Sequence, residues 1–111
     1  MAEKVGPLNG VRAVTCSTAQ AGTVPYMMMA DLGAEVIKVE VPGIGDGSRT
    51  AGELRGDISS FFETNNRGVK SITLNLKSEE GQKILHKLVE TADIFGQNFR
   101  PGAAEKNGFG Y

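Results

Sequence analysis

Three basic residues near the carboxyl ends of predicted strands could bind an anion. Lys77 comes directly before a predicted helix N-terminus, where backbone amides and the helix dipole both favour a phosphate, and Arg100 and Lys106 lie in and after the next loop. Glu79 and Glu80, however, occupy the same positive helix end, and a surface lysine is commonly just solvated. The residue types leave phosphate binding and a solvated surface as two open interpretations.

Other kinds of site have less support. A nucleophilic site would need Cys16 or Ser17 beside a base, but His86 is predicted on the solvent face of a distant helix, so we interpret Cys16 as a core residue. A dinucleotide site would need Gly-x-Gly-x-x-Gly after the first strand. That loop contains only Gly22, which disfavours NAD although Glu40 lies where a ribose-binding acid would. One cysteine and one histidine also predict no metal site built by this chain alone.

The composition is that of an ordinary globular chain. Its 111 residues are 40% hydrophobic and 23% charged with a formal net charge of -1, which fits one domain and gives no basic surface for nucleic acid. No apolar run approaches the ~20 residues that span a bilayer, and the start from Met1 to Pro7 lacks the apolar core of a signal peptide. These features predict a cytoplasmic protein without a membrane or nucleic-acid partner.

Two β-α-β units give the predicted architecture. Strands are predicted over the runs 11–15, 35–40, 71–76 and 93–96. Helices are predicted at 23–32 with Thr23 as N-cap and Pro25 in the first turn, at 59–65, from the N-cap Ser78 onward, and at 103–107. This order is typical of an α/β fold, an open parallel sheet with helices on its faces, whose ligand lies beyond the carboxyl ends of the strands.

The spacing of apolar residues predicts which faces are buried. Two apolar faces and one buried stripe are predicted: Met28, Met29 and Leu32 can share one side of the first helix, Ile72, Leu74 and Leu76 lie on one face of the third strand, and Ile84, Leu85, Leu88 and Val89 form the buried stripe of the helix after Ser78. Gly33 is expected to end the first helix, because a left-handed residue there costs glycine no steric clash. The glycine-rich stretch 41–57 has no period and is predicted to be a long functional or mobile loop. Three other loops, 15–23, 76–78 and 97–102, should meet at the ligand-binding edge.

Several motifs, in order along nearly the whole chain, carry a resemblance to a known family. They are Pro7-Leu8-Asn9-Gly10-Val11-Arg12, the run from Ala30 to Gly43, Gly45-Asp46, Asn66-Arg67, the run from Ser71 to Lys77, Glu80-Gly81, Ala92-Asp93 and Asn98-Phe99-Arg100-Pro101-Gly102. Together they resemble the amino-terminal part of the class III CoA-transferases, which include formyl-CoA transferase, the carnitine CoA-transferases and α-methylacyl-CoA racemases. The resemblance implies that residues 1–111 are a Rossmann-like CoA-binding segment of a homodimer whose two chains are interlocked like rings.

The resemblance also implies an activity. Family transferases move CoA between an acyl-CoA and a free carboxylic acid through an aspartyl-CoA thioester. The nucleophilic aspartate is expected beyond Tyr111, since Asp31, Asp46, Asp57 and Asp93 do not match its motif. Residues 1–111 alone are therefore predicted to be inactive. An α-methylacyl-CoA racemase of the same family, or a CoA-binding or assembly module without catalysis, remain alternatives.

Site residues follow from the resemblance, motif by motif. The implied CoA contacts are Ala19, Gln20, Leu74, Asn75, Leu76, Lys77, Asn98, Phe99, Arg100 and Lys106. Gln20 would lie nearest the reacting carboxylates, where its amide can hydrogen-bond an anhydride or thioester oxygen. Two positions depart from the family. Val41 stands where an arginine often helps to hold the nucleotide, so that contact is missing or is replaced by Arg49 or another basic group, and the proline after Gln20 is displaced to Pro25.

Overall fold

A computed structural model describes residues 5–111. Residues 1–4, which belong to the start that the sequence analysis compared with a signal peptide, lie outside the described range. In this range the elements are, in order, β1 Arg12–Thr15, α1 Val24–Asp31, β2 Glu35–Glu40, β3 Leu54–Arg55, β4 Ile58–Ser59, α2 Ser60–Asn65, β5 Lys70–Thr73, α3 Glu79–Glu90, β6 Ile94–Gly96 and α4 Ala103–Lys106. None of the helices found there combines the length and the apolar character that crossing a membrane requires.

The central sheet is parallel, with strand order β5-β2-β1-β6. β1 lies in the middle, where Val14 is in register with Ile37 of β2 and with Phe95 of β6. Because all four strands run the same way, their carboxyl ends meet at one edge, as the sequence predicts for the ligand-binding side. β3 and β4 form a separate antiparallel hairpin.

Alternate residues of the strands bury two different faces of the sheet. On one face, Val14 and Val39 pack in a cluster with Leu85 of α3. On the other, Ala13 and Val36 are fully buried, and partly buried residues of α1 pack against them. Burial on both sides explains why β1 and β2 are rich in apolar residues rather than strictly alternating. The predicted open parallel sheet with helices on both faces is confirmed.

The predicted helix bounds agree with the structure, although the Thr23 side chain makes no capping hydrogen bond at the start of α1. Two predicted apolar faces were partly wrong. Gly33 has a φ of 103° after the end of α1, the left-handed conformation expected of it. In α1 the buried side chain is Met27, whereas Met28 is 55% and Leu32 45% exposed. In α3 the buried stripe is centred on Leu85 and Gly81. Ile84, about 100° further round the helix, is 46% exposed.

The third predicted strand is shorter than its pattern suggested. β5 ends at Thr73, although Leu74 and Leu76 continue into the core, each only 8% exposed. Ile72 is 36% exposed, because β5 is an edge strand and is less covered than the centre of the sheet. The stretch 41–57 is also not a structureless loop, since it contains a 3₁₀ turn at Gly47–Thr50 and the first strand of the hairpin.

Candidate functional site

Two loops at the carboxyl edge are joined directly by Asn98. Its side-chain amide donates to the Thr18 carbonyl at 2.9 Å, and its Oδ1 accepts from the Thr18 N–H at 3.0 Å. Gly22 lies against this amide so closely that a Cβ there would be 2.4 Å from Asn98 Nδ2. The β1–α1 loop therefore carries glycine at position 22 because Asn98 occupies the space that a side chain would need.

A second pair of loops forms a groove at the same edge, which we call the rim groove. The β5–α3 loop supplies Asn75, Leu76 and Lys77, and the loop after β6 supplies Phe99. Apolar residues of the segment after β2, including Val41 and Ile44, complete a cavity of about 500 Å³. Four of the ten sequence-predicted contact residues thus line one concave surface with a lysine beside it.

The Phe99 wall and the Lys77 wall of the rim groove are each fixed locally. The Phe99 ring meets the buried Phe109 ring edge-on, with 5.7 Å between ring centres. On the other wall, the Lys77 N–H donates to Asn75 Oδ1 at 3.1 Å. Gly81 lets α3 approach this turn, since a Cβ there would lie 1.9 Å from the Asn75 carbonyl oxygen. Both walls are therefore positioned by contacts within the chain itself.

The remaining predicted contacts lie outside the described lining of the rim groove. Gln20, Arg100 and Lys106 are exposed, and Gln20 and Arg100 belong to the two loops that Asn98 joins. Leu74 is buried in the core, and its N–H donates to the Glu40 carbonyl at 3.0 Å. The structure thus connects the loops in two pairs, one through Asn98 and the other through the groove.

Beside these loops lies a buried ion pair that the sequence did not predict. The side chains of Lys38 and Asp46 are 2% and 1% exposed, and they bond to each other at short range. Lys38 also donates to Asn66 Oδ1 at 3.0 Å, and its ammonium lies 5.3 Å from the centre of the Phe62 ring. Burial by itself raises the pKa of Asp46, but hydrogen bonds from Lys38 and Ser48 outweigh it and lower that pKa.

A second ion pair fastens the segment after β2 to the sheet. The Arg49 guanidinium donates to both Glu40 carboxylate oxygens, at 2.8 and 2.7 Å, and stacks on the Phe62 ring at 3.9 Å. Ser71 and the Asp46 N–H also donate to Glu40. These hydrogen bonds, chiefly that from Arg49, lower the pKa of Glu40 from 4.5 to about 2. The carboxylate is therefore engaged within the protein rather than presented to a ribose.

Replacing Glu40 by glutamine should weaken the pH dependence of stability. The pKa of Glu40 is about 2 in the folded state, so the ionised carboxylate stabilises the fold fully when the pH is above its ordinary pKa of 4.5. That stabilisation is lost as the pH falls towards 2. We expect Glu40→Gln to lower the unfolding free energy by roughly 2 kcal/mol at about pH 6 and much less at about pH 2.5. Urea unfolding followed by circular dichroism measures both values. Glu90→Gln, at the exposed end of α3, is the control and should show no such difference.

Cys16 and His86 do not form a catalytic pair. Cys16 is buried in the core below α3, and burial raises the pKa of its thiol to about 12. His86 is exposed, and its Nε2 hydrogen-bonds the Gly108 carbonyl at 2.8 Å. The interpretation of Cys16 as a core residue is confirmed.

The residue types of Lys38 and Asp46 are visible in the sequence, but their positions do not predict that the two form a buried ion pair. Lys38 is the one charged residue between the strand residues Val36 and Val39, a position where alternation alone predicts a solvated side. Asp46, flanked by glycines, has the composition of an ordinary turn. Only the folding of residues 41–50 back over β2 brings the two charges together, and neither position reveals that on its own.

Comparison with known proteins identifies the family to which this chain belongs. The family model described as CoA-transferase family III matches residues 8–111. The chain belongs to CoA-transferase family III. Its parallel sheet and its carboxyl-edge loops are therefore those of the family's amino-terminal part, as the motifs predicted.

Members of CoA-transferase family III with known names and structures resemble the chain over nearly its full length. It is 41% identical over 110 residues to an acetyl-CoA:oxalate CoA-transferase of Acetobacter aceti, covering 99% of this chain and 28% of that protein. It is 42% identical over 108 residues to the human succinyl-CoA:glutarate CoA-transferase, covering 96% of this chain and 25% of that protein. The crystal structure of Rv3272 from Mycobacterium tuberculosis superposes with a TM-score of 0.89 at 39% identity, covering 96% of this chain and 30% of that one. The chain thus spans between a quarter and a third of the length of these relatives.

Proposed function

We propose that residues 1–111 are the amino-terminal CoA-binding part of a CoA-transferase that moves CoA from an acyl-CoA thioester to a free carboxylic acid. The observation that carries this proposal is the family match over residues 8–111, together with relatives named as acetyl-CoA:oxalate and succinyl-CoA:glutarate CoA-transferases. CoA enters as a substrate, and a carboxylic acid is the second substrate. As in the resemblance described above, the complete protein would be an interlocked homodimer.

The rim groove is the proposed place for part of the CoA molecule. Its lining of Leu76, Phe99 and Val41 is apolar, which suits the pantetheine chain or the adenine face. Lys77 at its border and Arg100 in the neighbouring loop supply positive charge for the phosphates. Arg49 is less suitable for that task because Glu40 balances its charge. We therefore assign the phosphate contacts to Lys77 and Arg100, with Lys106 as a further candidate.

The acyl group would react near Gln20, at the exposed start of the β1–α1 turn. The Gln20 amide can stabilise an anhydride or thioester oxygen by hydrogen bonding. A nucleophilic aspartate must come from another part of the protein. Asp46 is buried beside Lys38, Asp31 pairs with Arg67, and the remaining two aspartates of this chain do not match the family's motif.

A substrate screen of the full-length protein tests the proposal. Acyl-CoA donors are combined with carboxylic acid acceptors, and hydroxylamine is added to trap an enzyme-bound thioester as a hydroxamate. Formation of a new acyl-CoA together with hydroxamate on an aspartate supports transfer. Exchange of the α-proton of a branched acyl-CoA without any transfer would instead identify a racemase, and CoA binding with neither reaction would identify a binding module.

Residues 1–111 alone should not catalyse transfer. The proposed CoA contacts lie in this segment, but the proposed nucleophile does not, so the chemical step lacks its covalent partner. The purified segment is mixed with the acyl-CoA and acceptor pair that the full-length protein uses, and CoA transfer is followed by chromatography. Any turnover above the rate without protein would contradict the assignment of the nucleophile to another segment.

A further inference from the structure

A hydrogen bond connects the buried ion pair with the turn that carries Gln20. Asp46 Oδ1 accepts from the Ala19 N–H at 3.3 Å. Ala19 has a φ of 62°, a left-handed conformation that is uncommon for a residue with a Cβ and persists when surrounding contacts determine it. The carboxylate of Asp46 is such a contact, and it reaches the turn from the segment after β2.

Asp46 is itself firmly held. Its Oδ1 also accepts from the Ser48 N–H at 2.9 Å and from the Ser48 hydroxyl at 2.8 Å. Its Oδ2 accepts from Lys38, which extends from the middle of β2 and also bonds Asn66. A buried carboxylate with all these partners, supported by a central strand, cannot shift without breaking several contacts. It therefore gives the Ala19 N–H a fixed point of attachment.

The start of α1 holds the same turn from the other side. The Thr23 hydroxyl donates to the Ala19 carbonyl. The Gln20 carbonyl accepts from the N–H groups of Thr23 and Val24, each at 3.1 Å. The backbone on either side of the Ala19–Gln20 peptide is thus fixed by Asp46 at one end and by the helix start at the other.

We propose that Asp46 is a positioning residue, which holds the Ala19 backbone and so sets where the Gln20 amide meets the reacting acyl group. Lys38 acts one step further away by keeping the Asp46 carboxylate in place. The inference rests on the proposed function, because it gives Gln20 its role in CoA transfer. It adds to that role two buried charged residues that are themselves too enclosed to touch a substrate.

A matched pair of double variants in the full-length protein tests this inference. Lys38→Met/Asp46→Asn removes both charges but keeps an oxygen that can accept from Ala19, whereas Lys38→Met/Asp46→Ala removes both charges and that oxygen. We expect the alanine variant to have a kcat lower than the asparagine variant by on the order of tenfold, a fraction of what a ~1 Å misplacement can cost. The KM for acyl-CoA should differ little, because the rim groove is intact in both.

Hydrogen–deuterium exchange of the peptide covering residues 16–23 gives a readout that does not depend on turnover. Exchange there should be faster in the alanine variant than in the asparagine variant, with α3 unchanged. Asp31→Asn, which removes an exposed carboxylate paired with Arg67, is the control and should change neither measurement. Equal kcat values, or equal exchange rates, in the two double variants would overturn the inference. Failure of the unmodified protein to bind or transfer CoA would instead overturn the proposed function.

Discussion

Asp46→Ala is expected to lower the free energy of unfolding by about 3–5 kcal/mol, because it leaves the Lys38 ammonium buried without its counter-ion. Lys38 is only 2% exposed, so water cannot replace the lost carboxylate unless the segment 41–50 opens. Asn66 remains as an acceptor at 3.0 Å, but a neutral oxygen does not balance the charge. Urea unfolding of the full-length protein, followed by circular dichroism, measures the loss.

The double variant Lys38→Met/Asp46→Asn separates the effect of the charge from that of packing. It removes both charges, keeps an acceptor oxygen at position 46 and leaves an apolar side chain of similar length beneath Phe62, so we expect it to regain most of the stability lost in Asp46→Ala. Arg67→Ala removes one partner of the exposed pair with Asp31 and should cost less than about 1 kcal/mol. If Asp46→Ala were no more destabilising than Arg67→Ala, the Lys38–Asp46 pair would not be a closed, water-free contact.

Lys77→Ala and Arg100→Ala should each weaken CoA binding to the full-length protein by ~1.5–3 kcal/mol, or roughly 10- to 150-fold in the dissociation constant. Each change removes one charge-assisted hydrogen bond to a phosphate. Both side chains are exposed, so their removal should leave the fold intact. Isothermal titration calorimetry with CoA measures the two affinities directly.

Lys83→Ala is the matched control for the loss of positive charge. Lys83 lies on α3 one turn beyond Glu79, with which it forms a 3.5 Å surface pair, and it is 70% exposed. Its removal lowers the net charge by the same amount but should leave CoA affinity within about twofold, since exposed charges at a distance are screened. Unchanged affinity in both Lys77→Ala and Arg100→Ala would contradict the proposed phosphate contacts. A loss in Lys83→Ala as large as theirs would show that general charge, rather than these contacts, attracts CoA.

Much of the fold could be predicted from local patterns. Several predicted features belong to short stretches of the chain. They are the β-branched runs of β1 and β2, the left-handed Gly33 and the N-cap Ser78, whose hydroxyl accepts from the Gly81 N–H at 3.0 Å. Each depends on the conformation of a few neighbouring residues, so the sequence contains the information needed to place it. The predicted β-α-β order placed three loops at one edge of the sheet, and the family motifs placed most of the implied CoA contacts in those same loops.

The buried faces of the helices and the contacts between residues far apart in the sequence were predicted less well. Met28 and Ile84 are apolar and correctly placed on helices, yet both are about half exposed, because the covering of a helix depends on the element packed against it. The CoA contact assigned to Asn98 from its motif stays a prediction, whereas the hydrogen bonds by which Asn98 joins two loops through Thr18 were not predicted at all. Those bonds join residues 80 positions apart, a separation that local patterns do not reach.

The sequence by itself determined the parallel α/β fold and the family, since these depend on periodicity, caps and motifs along the chain. The ligand-binding edge of the sheet follows from the same order of elements and stays a prediction. Only the tertiary structure decided that Lys38 and Asp46 are buried together and that Asp46 holds Ala19. The reason is physical. A charged residue enters a protein interior only where a partner compensates the loss of water, and that partner is supplied by folding rather than by neighbouring positions in the sequence.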